Sequence, residues 1–285
     1  MPTWDFDTPG DVRLDLELPS GGIEIDAIGG ETTHVELEAL NAEGEELIAN
    51  ARVQANERGE SHEVRVLVGP AQRSGWFISI GRGPQIRLHV TCPRNASVTA
   101  RTKSADIVAH GELRKLDVKT ASGDVHGDEI TDDVSIKTAS GDVALDTIGG
   151  RTRIQTASGD VAMQRAAGDV TVQLVSGDLW LRDAGASVHA NTVSGDQRIE
   201  AVMEGVVEAH SVSGDVLIGV RRGSRVYVDA NTISGSTSSE LQLDDAPAEA
   251  EQSDDEGPLV EVRAKTVSGD VSIVRAPAPL PQTTR

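Results

Sequence analysis

The chain has 285 residues, with 26 Lys plus Arg against 46 Asp plus Glu for a formal charge of −20, and only 2% aromatics within 38% apolar residues. That charge repels nucleic-acid phosphates and anionic membrane surfaces, and the single cysteine, Cys92, excludes an intrachain disulfide or a cysteine-rich metal site. No basic leader and no run of 18 apolar residues occurs, so the chain reads as cytoplasmic and without direct membrane insertion, export by a route without an N-terminal signal being the other reading.

Residues 1–95 alternate apolar and polar positions without strict spacing, as in Val12-Arg13-Leu14-Asp15-Leu16 and Ile23-Glu24-Ile25. They are expected to form a divergent β-rich region that caps the first rung of the repeats that follow. Within it, Glu36 to Asn56 holds enough Ala, Glu and Leu to predict a helix. Trp76 and Phe77, two of the few aromatic side chains, read as an exposed anchor for a partner or as a plug for the end of the fold.

From residue 96 to 275 one motif organises the chain. Ser-Gly-Asp begins at Ser122, Ser140, Ser158, Ser176 and Ser194 at intervals of 18 residues, and again at Ser213 and Ser268. Degenerate copies stand at Ser104-Ala105-Asp106 and Ser234-Gly235-Ser236. Before each Ser, the positions six and four residues back are mostly apolar (Leu116 and Val118, Val134 and Ile136, Val170 and Val172), and apolar alternation resumes after each Asp (Val143 and Leu145, Val161 and Met163). Period two on both sides predicts two strands per repeat, each with one buried face.

The tripeptide between them is a corner: Gly123, Gly141, Gly159, Gly177 and Gly195 tolerate positive φ, and the flanking Ser and Asp can bond nearby backbone. Such units bury their apolar face only by stacking coil on coil. The predicted fold is therefore all-β, a parallel β-solenoid with 18-residue rungs, and crossover handedness favours a right-handed β-helix. Thr102, Thr120, Thr138, Thr156, Thr192, Thr232 and Thr266, two residues before Ser, form one ladder. The next position is apolar too (Ala121, Ala139, Ala157, Val175, Val193, Val212), so which of the two ladders faces inward is left open.

Residues 238–258 interrupt the repeat with Asp244, Asp245, Glu249, Glu251, Asp254, Asp255 and Glu256, an acidic loop expected to project between rungs before the repeat resumes at Leu259. Residues 276–285 are a Pro-rich tail unable to extend a sheet.

The recurring Thr-x-Ser-Gly-Asp-Val, at Thr120 to Val125, Thr138 to Val143, Thr156 to Val161 and Thr266 to Val271, resembles the bacterial β-strand-repeat proteins catalogued as a domain of unknown function and nicknamed putative adhesins. The resemblance spans roughly residues 10 to 275. It implies a β-solenoid, and many members of that family carry membrane anchors, of which this sequence shows none.

Candidate chemistry is sparse. Asp124, Asp142, Asp160 and Asp178 should form a column of carboxylates, which calcium could neutralise, although turn N–H groups are the competing use. The seven histidines show no close metal-ligand spacing in sequence and read as surface positions. No cofactor is called for and no catalytic residue is assigned. Trp180 alternates with buried Leu179 and Leu181 and should point outward beside Arg182, a candidate contact. The function expected is a non-enzymatic, adhesin-like binding or scaffolding protein with a protein or glycan partner or self-association into filaments. The alternative is a carbohydrate-active β-helix enzyme using paired carboxylates.

Overall fold

The computed structural model describes residues 1–59, 61–69, 84–241 and 257–276. The chain falls into two compact units, 1–159 and 160–285. Both are built from parallel, in-register strand pairs two to a coil, which is the parallel β-solenoid predicted from the repeat. No helix among the described residues is long and apolar enough to cross a membrane.

In the first unit, β1 (Thr3–Asp7), β2 (Asp11–Ala27), β3 (Thr32–Ala39), β4 (Arg52–Arg58), β5 (Ser61–Leu67) and β6 (Ile86–Cys92) precede β7 (Ala96–Lys119). Strand β2 is already a complete rung. Its inward positions Val12, Leu14, Leu16, Leu18, Ile23 and Ile25 are buried, and it lies parallel to β7 with Ser20 opposite Ser104. On its other side β2 pairs in parallel with β5 and β6, and these turn the pattern antiparallel through β4 and β3, with β1 on the edge of β3.

The helix expected over Glu36 to Asn56 shrinks to α1 (Ala42–Ile48), because Glu36–Ala39 and Arg52–Asn56 are claimed by β3 and β4. Asn41 starts it by accepting the Gly44 N–H at 2.8 Å, with Glu43 and Glu45 in its first turn. After β7 the regular rungs follow as β8 (Val125–Ile130), β9 (Val134–Ser140), β10 (Val143–Ile148) and β11 (Thr152–Ser158).

The second unit opens with β12 (Val161–Ala166), β13 (Val170–Ser176), β14 (Leu179–Ala184), β15 (Val188–Ser194), β16 (Gln197–Val202), β17 (Gly205–Ser213) and β18 (Val216–Val220). Met163, Leu181, Ile199 and Ile218 stack as one inward column, all but inaccessible to water. Each such side chain contributes about 1.5–3 kcal/mol by leaving water, and aliphatic residues stacked on their equivalents fill the coil without rings.

The last two rungs depart from chain order. Strands β19 (Arg225–Ser234) and β20 (Thr237–Ser239) are followed by β21 (Leu259–Ser268) and β22 (Val271–Arg275), yet β21 lies between β17 and β19, and β22 between β18 and β20. The final rung in sequence is thus the penultimate one in space. The acidic segment was expected to loop out between successive rungs; instead Ser238 and Ser239 belong to β20, the Pro258 carbonyl accepts the Arg225 N–H at 2.9 Å, and the connection runs from the outer rung back to an inner one. Residues 242–256, Trp76, Phe77 and residues 277–285 of the tail lie outside the described residues.

Candidate functional site

The corner that repeats on every rung is where sequence and geometry converge. In the second unit a Cβ on Gly195, Gly214 or Gly269 would stand 2.1 Å from the carbonyl oxygen of Gly177, Gly195 or Gly214 respectively, with φ of +130°, +139° and +143°. Glycine is therefore required twice over, by backbone angle and by the close approach of neighbouring coils.

The aspartate that follows has a defined task. Asp106 accepts the Asp124 N–H at 3.0 Å and Asp124 the Asp142 N–H at 2.9 Å. In the second unit Asp160, Asp178, Asp196 and Asp215 accept from Asp178, Asp196, Asp215 and Asp270, each at 2.8 Å. The bond goes to the next rung and not, as expected, to the residue's own turn, because in-register stacking sets that next N–H against the carboxylate. Of the carboxylates proposed as calcium ligands, Asp124, Asp160 and Asp178 thus use Oδ1 to hold the next rung.

The run has a direction, and this accounts for the degenerate Ser234-Gly235-Ser236. Asp270 accepts both the N–H and the hydroxyl of Ser236, at 2.7 and 2.9 Å. Ser236 sits on the outermost described rung, where no further N–H asks for a carboxylate.

The threonine ladder faces inward. Thr138, Thr156, Thr192 and Thr266 are buried. Thr232 and Thr266 donate to the corner carbonyls of Gly269 and Gly214 at 3.0 and 3.3 Å, so the hydroxyl ties the corner of one rung to that of its neighbour. Strand parity carried this signal: Thr lies two residues beyond the buried position four before Ser.

It follows that the apolar residue just before each motif Ser faces water. In the second unit Val175, Val193, Val212, Val267 and Ile233 stand in register on β13, β15, β17, β21 and β19, and are 52, 49, 49, 44 and 80% exposed. At about 4.8 Å per rung they make an apolar column on the order of 20 Å long beside the exposed Ser and Asp of the corner.

Trp180 points outward, as predicted, but is half-buried: its Nε1 donates to Glu200 at 3.0 Å, and Glu200 also pairs with Arg198 at 3.1 Å. Arg182 is exposed, with Nη1 3.4 Å from Gln164 Oε1. Both sit on β14, across the corner from the apolar column.

The histidines face carboxylates more often than their sequence spacing implied. His34 meets Asp5, His89 meets Asp26, His110 and His126 meet Asp128, and His189 meets Glu208. Bonds from His189 and Arg263 hold the Glu208 carboxyl below its ordinary range, and the Ser236 N–H and hydroxyl do the same for Asp270. Both folded pKa values lie below the unfolded ones, so their stabilisation is full well above about pH 4 and is lost as pH falls through the folded values. The stability difference between wild type and Asp270→Asn should accordingly shrink in urea titrations taken from pH 6 down to pH 3. A difference independent of pH would refute this.

Coils of parallel strands, Ser-Gly-Asp corners and a bonded carboxylate run define a β-solenoid repeat protein. The family model described as Toastrack DUF4097 matches residues 49–222, and the chain belongs to that family. No curated protein matches. Among solved structures, a putative adhesin from Bacteroides fragilis is similar at 12% identity and a TM-score of 0.47, covering 95% of this chain and 96% of that one. A putative lipid binding protein from Parabacteroides distasonis is similar at 11% identity and 0.44, covering 97 and 96%. A putative cell adhesion protein from Clostridium sporogenes stands at 9% and 0.29, covering 96 and 99%.

Proposed function

We propose that this protein is a non-enzymatic binding scaffold whose second unit presents the column Val175, Val193, Val212, Val267 and Ile233 to a protein partner, with Trp180 and Arg182 at the rim. The observation that carries the reading is the column itself, five apolar side chains held in register and in water by the same corner that builds the core. A water-exposed apolar strip gains by being covered, and a protein surface covers it more completely than a sugar does. A glycan partner would call for stacking rings, and the ring on this side, Trp180, is tied to Glu200. Against an enzyme stands the use of the corner carboxylates, whose Oδ1 atoms are spent on backbone N–H groups.

The test is a pull-down from native lysate with wild type, Val193→Asp/Val212→Asp and Trp180→Ala/Arg182→Ala, all confirmed folded by circular dichroism. The column variant should lose a captured protein by at least about tenfold, the scale of a disrupted hot spot, and the rim variant by less. Equal capture by all three would sink the proposal. Sedimentation of wild type alone as a ladder of oligomers abolished by Val193→Asp/Val212→Asp would make the partner a second copy.

A further inference from the structure

Four of the seven histidines lie on neighbouring strands of the first unit, in the order β3, β6, β2, β7, β8. Register sets Glu36, His89 and Glu24 in one row across β3, β6 and β2, and His34, Thr91 and Asp26 in the next. At the centre, Glu24, Asp26 and His89 each offer one ligand atom, all within 4.8 Å of one another. His89 Nε2 is 2.8 Å from Asp26 Oδ2, and both side chains are about two-thirds shielded from water, at 31 and 28% exposure. A recess of about 160 Å³ borders His89 and Glu24, and Glu36, Glu38, Arg87 and Met1 complete its lining.

The local charge is unbalanced. Arg87 is engaged by Glu38 at 2.7 Å, and no ion pair reaches Glu24 or Glu36 among the described residues. Carboxylates gathered about one imidazole repel each other unless a cation joins them. Imidazole nitrogen with carboxylate oxygens is the donor set of zinc-like first-row ions, whereas calcium takes oxygen alone.

We propose that Glu24, Asp26 and His89 bind a divalent first-row transition ion of the zinc class, with Glu36 reaching the fourth position from the adjacent strand. Ligand atoms around one such ion lie roughly 3.3 Å apart, given bonds near 2.0–2.2 Å, so the exposed Glu24 carboxylate would swing inward and the 2.8 Å contact of His89 with Asp26 would open slightly to admit the ion. The ion would clamp β2 to β6, joining a full rung to the strand beside it.

The test uses the full chain, treated with chelator and then titrated with Zn²⁺ by calorimetry and with Co²⁺ by visible absorption. Wild type should bind one Zn²⁺ and develop a Co²⁺ d–d band that millimolar Ca²⁺ does not displace. His89→Ala and Asp26→Asn should weaken Zn²⁺ at least tenfold and abolish the band, while His110→Ala/His126→Ala should retain both. The exposed Glu24→Gln replaces either variant that fails to fold. Zn²⁺ binding that is absent, or unchanged by these substitutions and so spread over the acidic surface, would overturn the site, as would its loss in His110→Ala/His126→Ala alone.

Discussion

A disulfide is expected to form in His210→Cys/Lys265→Cys and in Asn231→Cys/Lys265→Cys, and to fail in His210→Cys/Asn231→Cys. His210 stands opposite Lys265, and Lys265 opposite Asn231, because β21 lies between β17 and β19. Neighbouring rungs place paired Cα atoms about 4.8 Å apart, inside the range a disulfide spans, whereas two rungs place them about 9.6 Å apart, outside it. Stacking in chain order would exchange two of the three results, since β19 would then follow β17 directly: the 210–231 pair would close and the 210–265 pair would fail, while the 231–265 pair closes in either arrangement. The native Cys92 does not interfere: burial first, and the nearby Asp26 charge second, push its thiol up to about 12. Oxidation followed by non-reducing electrophoresis and peptide mapping reads all three variants.

Replacing a corner glycine should produce the largest loss of stability from a single added methyl group. In Gly214→Ala the Cβ would meet the Gly195 carbonyl oxygen at 2.1 Å on a backbone at φ +139°. The rungs must move apart or the corner must rotate, and the expected cost is about 3 kcal/mol or more in urea unfolding. Gly223→Ala separates the two causes, because Gly223 has φ +88° with nothing within 4 Å of an added Cβ. It should cost only about 1 kcal/mol. Equal losses would mean that backbone angle alone, and not the approach of adjacent rungs, explains the glycine column.

The exposed apolar column was nearly legible in the sequence. Thr192 and Val193 are both compatible with a core, and composition does not rank them. Strand parity does: Val188 and Ala190 are buried, so Thr192 must be buried and Val193 exposed. The corner carboxylates were visible as a column, but their bonding partners were not. A turn considered alone offers its own N–H groups, and only stacked coils offer those of the next rung.

The histidine face was hidden for a different reason. Glu24, Asp26 and His89 meet because β2 and β6 are parallel neighbours, and nothing in their separation along the chain records it. The rung at Asp11–Ala27 was also disguised, since Ser20-Gly21-Gly22 stands where later rungs carry Ser-Gly-Asp, although its alternating Leu and Ile residues bury as the others do.

By itself, then, the sequence determined the coil: its 18-residue length, its two strands, the corner between them and the aliphatic column within. These depend on local periodicity and on residue types that repeat. Only the tertiary structure decided which coil lies beside which. All Ser-Gly-Asp rungs present nearly the same edge, so pairing energy scarcely distinguishes neighbours by chain order. One asymmetry accords with the order observed: Asp270 carries a carboxylate for the rung beyond it and Ser236 does not.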